Sequence, residues 1–308
     1  MIDIKGLSRT FGSTTAVEDL TFSVGQGEVF GFLGPNGAGK TTTIRMLCTL
    51  IATTKGTARI EGLDISNPQD GLKIRQIIGL LPEAPGLYDK LSAYRNLDFY
   101  ARLYDLGEDE RRTRIERFLR LLGLWERREE PVAIFSKGMK QKIAIARALV
   151  HDPLVLFLDE PTAGLDPESA KTVRDFILQL KEEKRTIFLN THNLDEAERI
   201  CDRIGIIKTK LIALGTPDEL RSKLWKRRTA IHLVKAEENT IKAVRNIKEI
   251  ENLQVFENSI ICEVDDPETV NPLIVEAVVA AGGKIRYVTE LRRSLEDVYL
   301  ELVRGNSE

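Results

Sequence analysis

The chain has 308 residues, of which 42% are hydrophobic and 30% charged, ordinary for a globular protein and enough for two domains. Its 45 basic and 47 acidic side chains leave a formal net charge of −2, so charge gives no overall reason to bind nucleic acid. The longest apolar stretches, such as Leu154 to Leu158 and Ile274 to Ala281, fall well short of the ~20 residues of a bilayer span. The first residues lack the basic-then-apolar layout of a signal peptide, and Cys48, Cys201 and Cys262 form no CxxC pair. These cysteines read as small buried hydrophobes in a reducing compartment, and His151, His192 and His232 are too scattered for a metal site. The expectation is a cytoplasmic chain.

In chain order, Ile2 to Lys5 and Leu20 to Val24 alternate like strands, and Val29 to Leu33 reads as a buried strand. That strand feeds Gly34-Pro35-Asn36-Gly37-Ala38-Gly39-Lys40-Thr41, then Thr42, and a helical pattern opens near Lys40. The run fits Gly-x4-Gly-Lys-Ser/Thr in the strand–loop–helix context that a phosphate-binding loop needs. Its glycines let backbone N–H groups turn inward around phosphate oxygens, and the helix N-terminus adds a favourable dipole. Lys40 supplies a cation for the β- and γ-phosphates of a nucleoside triphosphate, and the Thr41 hydroxyl can ligate Mg²⁺.

Short strands follow at Thr57 to Glu61 and Ile77 to Leu81, then helical spacing from Ala93 to about Leu124. A helix from about Ser136 to Val150 ends at Pro153, ahead of the all-apolar strand Leu154 to Leu158. A helix from Pro167 to Lys181, a strand from Thr186 to Asn190 and a helix from Leu194 to Cys201 continue the alternation. This order predicts an α/β fold with a mostly parallel sheet and helices on both faces.

The basic cluster Lys223 to Arg228 marks a boundary, dividing an N-terminal domain, 1–222, from a linker and C-terminal domain, 223–308. Beyond it come a strand at Ala230 to Val234 and a helix at Thr240 to Ile250. A hairpin turning at Glu257-Asn258 and a helix from Pro267 to Ala281 follow, then a strand from Lys284 to Thr289 and a helix capped by Ser294. The β-α-β-β-α-β order is that of a small α+β ferredoxin-like domain.

The strand at Leu154 ends in Asp159-Glu160. In a phosphoryl-transfer site one acid holds the Mg²⁺ shell and another activates the attacking water. Asp159 is the metal-side residue in this reading and Glu160 the base.

Phe135-Ser136-Lys137-Gly138-Met139 resembles the ATP-binding cassette (ABC) signature, usually Leu-Ser-Gly-Gly-Gln. Ser136 and Gly138 match, while Phe135, Lys137 and Met139 depart. A serine hydroxyl, a glycine amide and a helix N-terminus still form an anion site. The resemblance extends over the N-terminal domain, a P-loop NTPase fold with a helical subdomain. It implies that Phe11 stacks on adenine, worth about 1 kcal/mol, with Val17 as its apolar neighbour. Glu83 takes the place of the Q-loop glutamine, adding a carboxylate near Mg²⁺ and the phosphates. Ala163 to Asp166 resembles the D-loop, and His192 the switch histidine that contacts the γ-phosphate.

In this family two cassettes stack head to tail around ATP. One chain carrying both motifs then supplies half of each of two sites. Gly34 to Thr42, Asp159 and Glu160 act in cis, and Ser136 and Gly138 in trans. ATP closes the dimer, expected here as a homodimer, and hydrolysis opens it. Transport by such a chain requires a separate transmembrane permease subunit, docked on the surface around Pro85 to Tyr88, which places the chain on the cytoplasmic face of the membrane. Glu83, Lys137 to Gln141, the turn at Thr216 to Leu220 and Ser294 to Leu302 resemble exporters of the daunorubicin-resistance type, whose members often carry a C-terminal extension of this size; here residues 229–308 are expected to form an accessory domain that regulates or stabilises the dimer. The competing readings are a soluble ABC ATPase of translation or DNA repair and a ligand-sensing ATPase.

Overall fold

The computed structural model describes residues 1–224, 227–291 and 294–305. Trp225 and Lys226 of the basic cluster lie outside the described residues. The chain forms two compact units, Met1–Pro217 and Asp218–Gly305.

The first unit opens with a long hairpin, β1 (Ile2–Phe11) and β2 (Thr14–Val24), where the sequence had suggested only the outer ends. With β4 (Lys55–Ile60) and β5 (Leu63–Asp64) it makes an antiparallel sheet ordered β2-β1-β4-β5. β3 (Val29–Leu33), β6 (Ile78–Leu81), β7 (Val155–Asp159), β8 (Thr186–Thr191), β9 (Arg203–Lys208) and β10 (Lys210–Gly215) make the second sheet, ordered β10-β9-β3-β8-β7-β6. All its pairings are parallel except β9 with β10. β3, β7 and β8 are buried along their whole length, as apolar runs between helical layers must be.

The register sets Phe188 beside Phe30 on one side and Phe157 on the other. Phe22 of β2 closes on Phe30 at 5.1 Å and on Phe32 at 5.7 Å between ring centroids. This aromatic cluster joins the two sheets, each buried ring contributing roughly 1.5–3 kcal/mol.

The helices are α1 (Lys40–Leu47), α2 (Pro68–Ile77), α3 (Ala93–Leu103), α4 (Glu108–Leu121), α5 (Lys137–Leu149), α6 (Pro167–Glu182) and α7 (Leu194–Ile200). The helical stretch from Ala93 is two helices: α3 ends at Tyr104, Asp105 takes φ +55°, and α4 starts after Gly107. The stretch at Thr216 is a helix start, with α8 spanning Pro217–Leu224.

In the second unit β11 (Arg227–Leu233), α9 (Glu238–Arg245), β12 (Ile250–Phe256), β13 (Ser259–Val264), α10 (Pro267–Ala280) and β14 (Ile285–Leu291) precede α11 (Leu295–Gly305). The antiparallel sheet is ordered β12-β13-β11-β14, the ferredoxin-like arrangement expected. Ile231, Ile260, Cys262 and Val264 of the sheet pack on Val244 of α9 and Ile274 and Val278 of α10. α9 stops at Arg245, leaving Ile250 to begin β12 rather than end a helix.

Candidate functional site

The loop between β3 and α1 is shaped by glycine. Gly39 has φ +100°, and a Cβ there would lie 2.3 Å from the Ala16 carbonyl oxygen and 2.9 Å from Val17 Cγ2. Only glycine lets β2 pass this close. The N–H groups of Gly37, Gly39, Lys40, Thr41 and Thr42 have no acceptor among the described residues; the loop's own bonds are Ala38 N–H to Pro35 O and Thr43 N–H to Gly39 O. Lys40 bends back, donating from Nζ to the Gly34 carbonyl at 2.7 Å and to that of Pro35 at 3.2 Å. Behind the loop, Thr209 at the β9–β10 turn donates to the Ala38 carbonyl, and its own carbonyl accepts from Glu18 N–H. A hairpin the sequence did not reveal therefore braces the phosphate loop against β2.

Asp159 closes β7, 2% exposed, and faces Asn190 in the β7–β8 register. It accepts from Asn190 Nδ2, and the Thr41 hydroxyl stands close enough to favour its charged form. Glu160 takes φ +52°, a left-handed turn costing roughly 1–2 kcal/mol in a non-glycine residue. Its N–H donates to Asn190 O at 2.9 Å. That turn aims the two adjacent carboxylates differently: Asp159 toward Thr41, and Glu160 toward His192, whose Nδ1 lies 2.8 Å from Oε2. His192 is mostly exposed and Glu160 largely covered.

Two buried groups carry opposite shifts. Burial lowers the Lys40 pKa against the pull of Glu160 and Asp159. Burial raises that of Asp159, Glu83 adding to the rise while Thr41, Asn190 and Lys40 oppose it. Each charged form lacks full compensation inside the protein. An anion at Lys40 and a cation at Asp159 would supply it, and loop N–H groups without an acceptor among the described residues, beside Asp159 and the Thr41 hydroxyl, are a donor set suited to that combination. The site fits a phosphate chain with a divalent cation.

The signature serine and glycine lie at the start of α5, apart from the phosphate loop. Ser136 caps α5, its hydroxyl accepting from Met139 N–H at 3.2 Å. A Cβ on Gly138 would meet Ser169 Oγ at 2.3 Å, so this glycine also lets α5 approach α6. Lys137 reaches over Gly164 of the D-loop, and Asp166 caps α6 by accepting from Ser169 N–H. A groove of about 460 Å³ is lined by Glu83, Phe135, Lys137, Lys140 and Glu160, among others. No residue of Gly34 to Thr42 lines it.

Phe11 is 46% exposed at the end of β1. Val17 is fully buried in the core and abuts the phosphate loop at Gly39. Asn190, which holds Asp159, went unread as a site residue, because its role arises from the β7–β8 register. Glu196 is a second: buried, with its pKa raised by that burial, it accepts from the Thr162 and Thr191 hydroxyls and so ties the loop after Glu160 to α7.

Residues 17–163 match the family model of the ABC transporter, and residues 215–303 match that of the "ATP-binding protein DrrA1-3-like, C-terminal domain". The chain is 37% identical over 260 residues to the linearmycin resistance ATP-binding protein LnrL of Bacillus subtilis (strain 168), covering 83% of each chain. It is 35% identical over 311 residues to the uncharacterized ABC transporter ATP-binding protein YhcH of the same organism, covering all of this chain and 97% of that one. The dimeric structure of MJ0796, a bacterial ABC transporter cassette, superposes with a TM-score of 0.65 at 26% identity, over 70% of this chain and 98% of that one. Loop, paired carboxylates, signature and relatives agree: the chain belongs to the ABC transporter ATP-binding proteins and hydrolyses ATP.

Proposed function

We propose that this chain is the motor subunit of an exporter, working as a head-to-tail homodimer that drives separate transmembrane permease subunits. One observation carries the dimeric reading. Within one chain the signature serine and glycine contact α5 and Ser169, while the N–H groups of Gly37 and of Gly39 to Thr42 have no acceptor among the described residues. A second copy brings a signature to each loop, and the dimeric state of the MJ0796 cassette supports this arrangement.

In each site the N–H groups of Gly37 and Gly39 to Thr42 bind the β- and γ-phosphates, and Lys40 exchanges loop carbonyls for phosphate oxygens. Thr41 and Asp159, with Glu83 nearby, would hold Mg²⁺, which neutralises phosphate charge when bound. Glu160 takes the proton of the attacking water. His192, bonded to Glu160, orients that carboxylate and faces the γ-phosphate. Residues 223–308 serve as an accessory domain of the dimer.

The permease would dock on the loop after β6. Arg147 clamps that loop through the Pro85 and Gly86 carbonyls, and buried Asn96 holds both the N–H and the carbonyl of Tyr88. The braced loop presents Tyr88, packed edge to face on Phe99 of α3, the two being 48% and 39% exposed. The resistance function in the name of LnrL supports export. No helix among the described residues is long and apolar enough to cross a membrane. A mild-detergent pull-down of the tagged chain from its host's membranes should recover one polytopic membrane protein. Recovery of only soluble proteins, ribosomes or nucleic acid would overturn the transporter reading. The same pull-down with a chain ending at residue 222 should recover less of the partner chain; undiminished dimer recovery and unchanged ATPase rate would remove the accessory role.

A further inference from the structure

Arg9 lies two residues before Phe11 on β1, opposite Val17 in the β1–β2 register. Val17 abuts Gly39, so Arg9 and Phe11 occupy the part of the hairpin nearest the phosphate loop. The Arg9 guanidinium sits over the Phe11 ring, with Cζ 4.4 Å from its centroid. Nη1 donates to the Ala52 carbonyl at 2.9 Å, in the segment that follows α1. Nε is buried and has no hydrogen-bond partner among the described residues. A buried N–H without an oxygen acceptor is costly, and the ring under the guanidinium is what offsets that cost here, as a cation–π contact.

The arrangement makes a one-sided platform. One face of Phe11 is occupied by a planar cation anchored beyond the C-terminal end of α1, and the residue as a whole stays 46% exposed. A guanidinium on one face also draws electron density from the other, which favours stacking with an electron-rich purine. We infer that Arg9 is a positioning residue for the nucleobase: it fixes the Phe11 ring and leaves a single face for adenine. This rests on the reading of Phe11 as the adenine-stacking residue.

Calorimetric titration of the full-length protein with ADP and with inorganic pyrophosphate separates base from phosphate recognition. Arg9→Met should weaken ADP about three- to fivefold, the scale of an exposed cation–π contact, and leave pyrophosphate unchanged. Phe11→Ala should weaken ADP at least as much, and the double variant should lose no more than Phe11→Ala alone, since Arg9 acts through the ring. Arg9→Lys, which keeps the charge and a donor for Ala52 but not the planar stack, should fall between wild type and Arg9→Met. Weakened ADP in Phe11→Ala with wild-type affinity in both Arg9 variants would overturn the role of Arg9 and leave the stacking reading standing. Unchanged ADP affinity in Phe11→Ala would overturn the stacking reading itself. An equal loss for ADP and pyrophosphate in Arg9→Met would place the effect in the phosphate loop and contradict the inference.

Discussion

Replacing Glu160 by Gln should leave ATP binding intact and slow hydrolysis by about 10²-fold or more, the contribution of a positioned general base. The change is nearly isosteric, so the left-handed turn at 160 and its N–H bond to Asn190 O persist. What disappears is the negative charge and the capacity to take a proton, while the amide oxygen can still accept from His192 Nδ1. The phosphate loop and Asp159 lie on other elements and keep their geometry. Steady-state turnover beside equilibrium ATP binding checks this. A wild-type turnover rate would remove Glu160 from the chemistry, and lost binding would show that it acts in holding nucleotide.

Gly39→Ala should abolish measurable ATP binding and lower the melting temperature, whereas Gly37→Ala should do much less. Both glycines have positive φ, +100° and +79°, so both alanines incur backbone strain of order 1–3 kcal/mol. The added methyl separates them. At Gly37 it meets nothing within 4 Å, while at Gly39 it lies 2.3 Å from a backbone oxygen of β2. Either β2 shifts, moving Val17 in the core, or the loop opens and its N–H groups no longer converge. Titration calorimetry with thermal unfolding of both variants tests the difference. Equal behaviour of the two would mean that the close approach of β2 does not shape the loop.

The parts of the fold legible in the sequence are those where burial leaves no choice of residue. β3, β7 and β8 are apolar because both their faces are covered, and the acids at the end of β7 stand out against that run. The βαββαβ order of the second unit was equally readable, because Gly282 and Pro267 punctuate it at the right places. What was missed had weaker local signals. α2 is short and mostly polar, though Asn67 as cap and Pro68 at its first turn were available clues. The β9–β10 hairpin turns at Thr209 with φ +64°, a position where sequence reading looks for Gly, Asn or Asp.

The same division holds in the site. Lys40, Thr41, Asp159 and Glu160 follow from spacing within one segment and its chemistry. Asn190 depends on which residue a parallel neighbour sets opposite Asp159, and the Arg9–Phe11 stack on a strand longer than its alternating pattern suggested. Gly138 is instructive for another reason. Its identity is required by the approach of Ser169 as well as by any phosphate, so the signature glycine has a structural cause within its own cassette.

The measurement that bears most directly on the account is complementation between two inactive chains. Lys40→Ala removes the phosphate-loop cation, and Ser136→Glu places a negative charge where the signature should receive phosphate. Each variant alone should have negligible ATPase activity. Mixed, they form dimers in which the intact phosphate loop of one chain faces the intact signature of the other, and ATPase activity should return. If the mixture stays inactive although the two chains are shown to associate, or if Ser136→Glu alone hydrolyses ATP at the wild-type rate, the two halves of the site do not meet across a head-to-tail dimer.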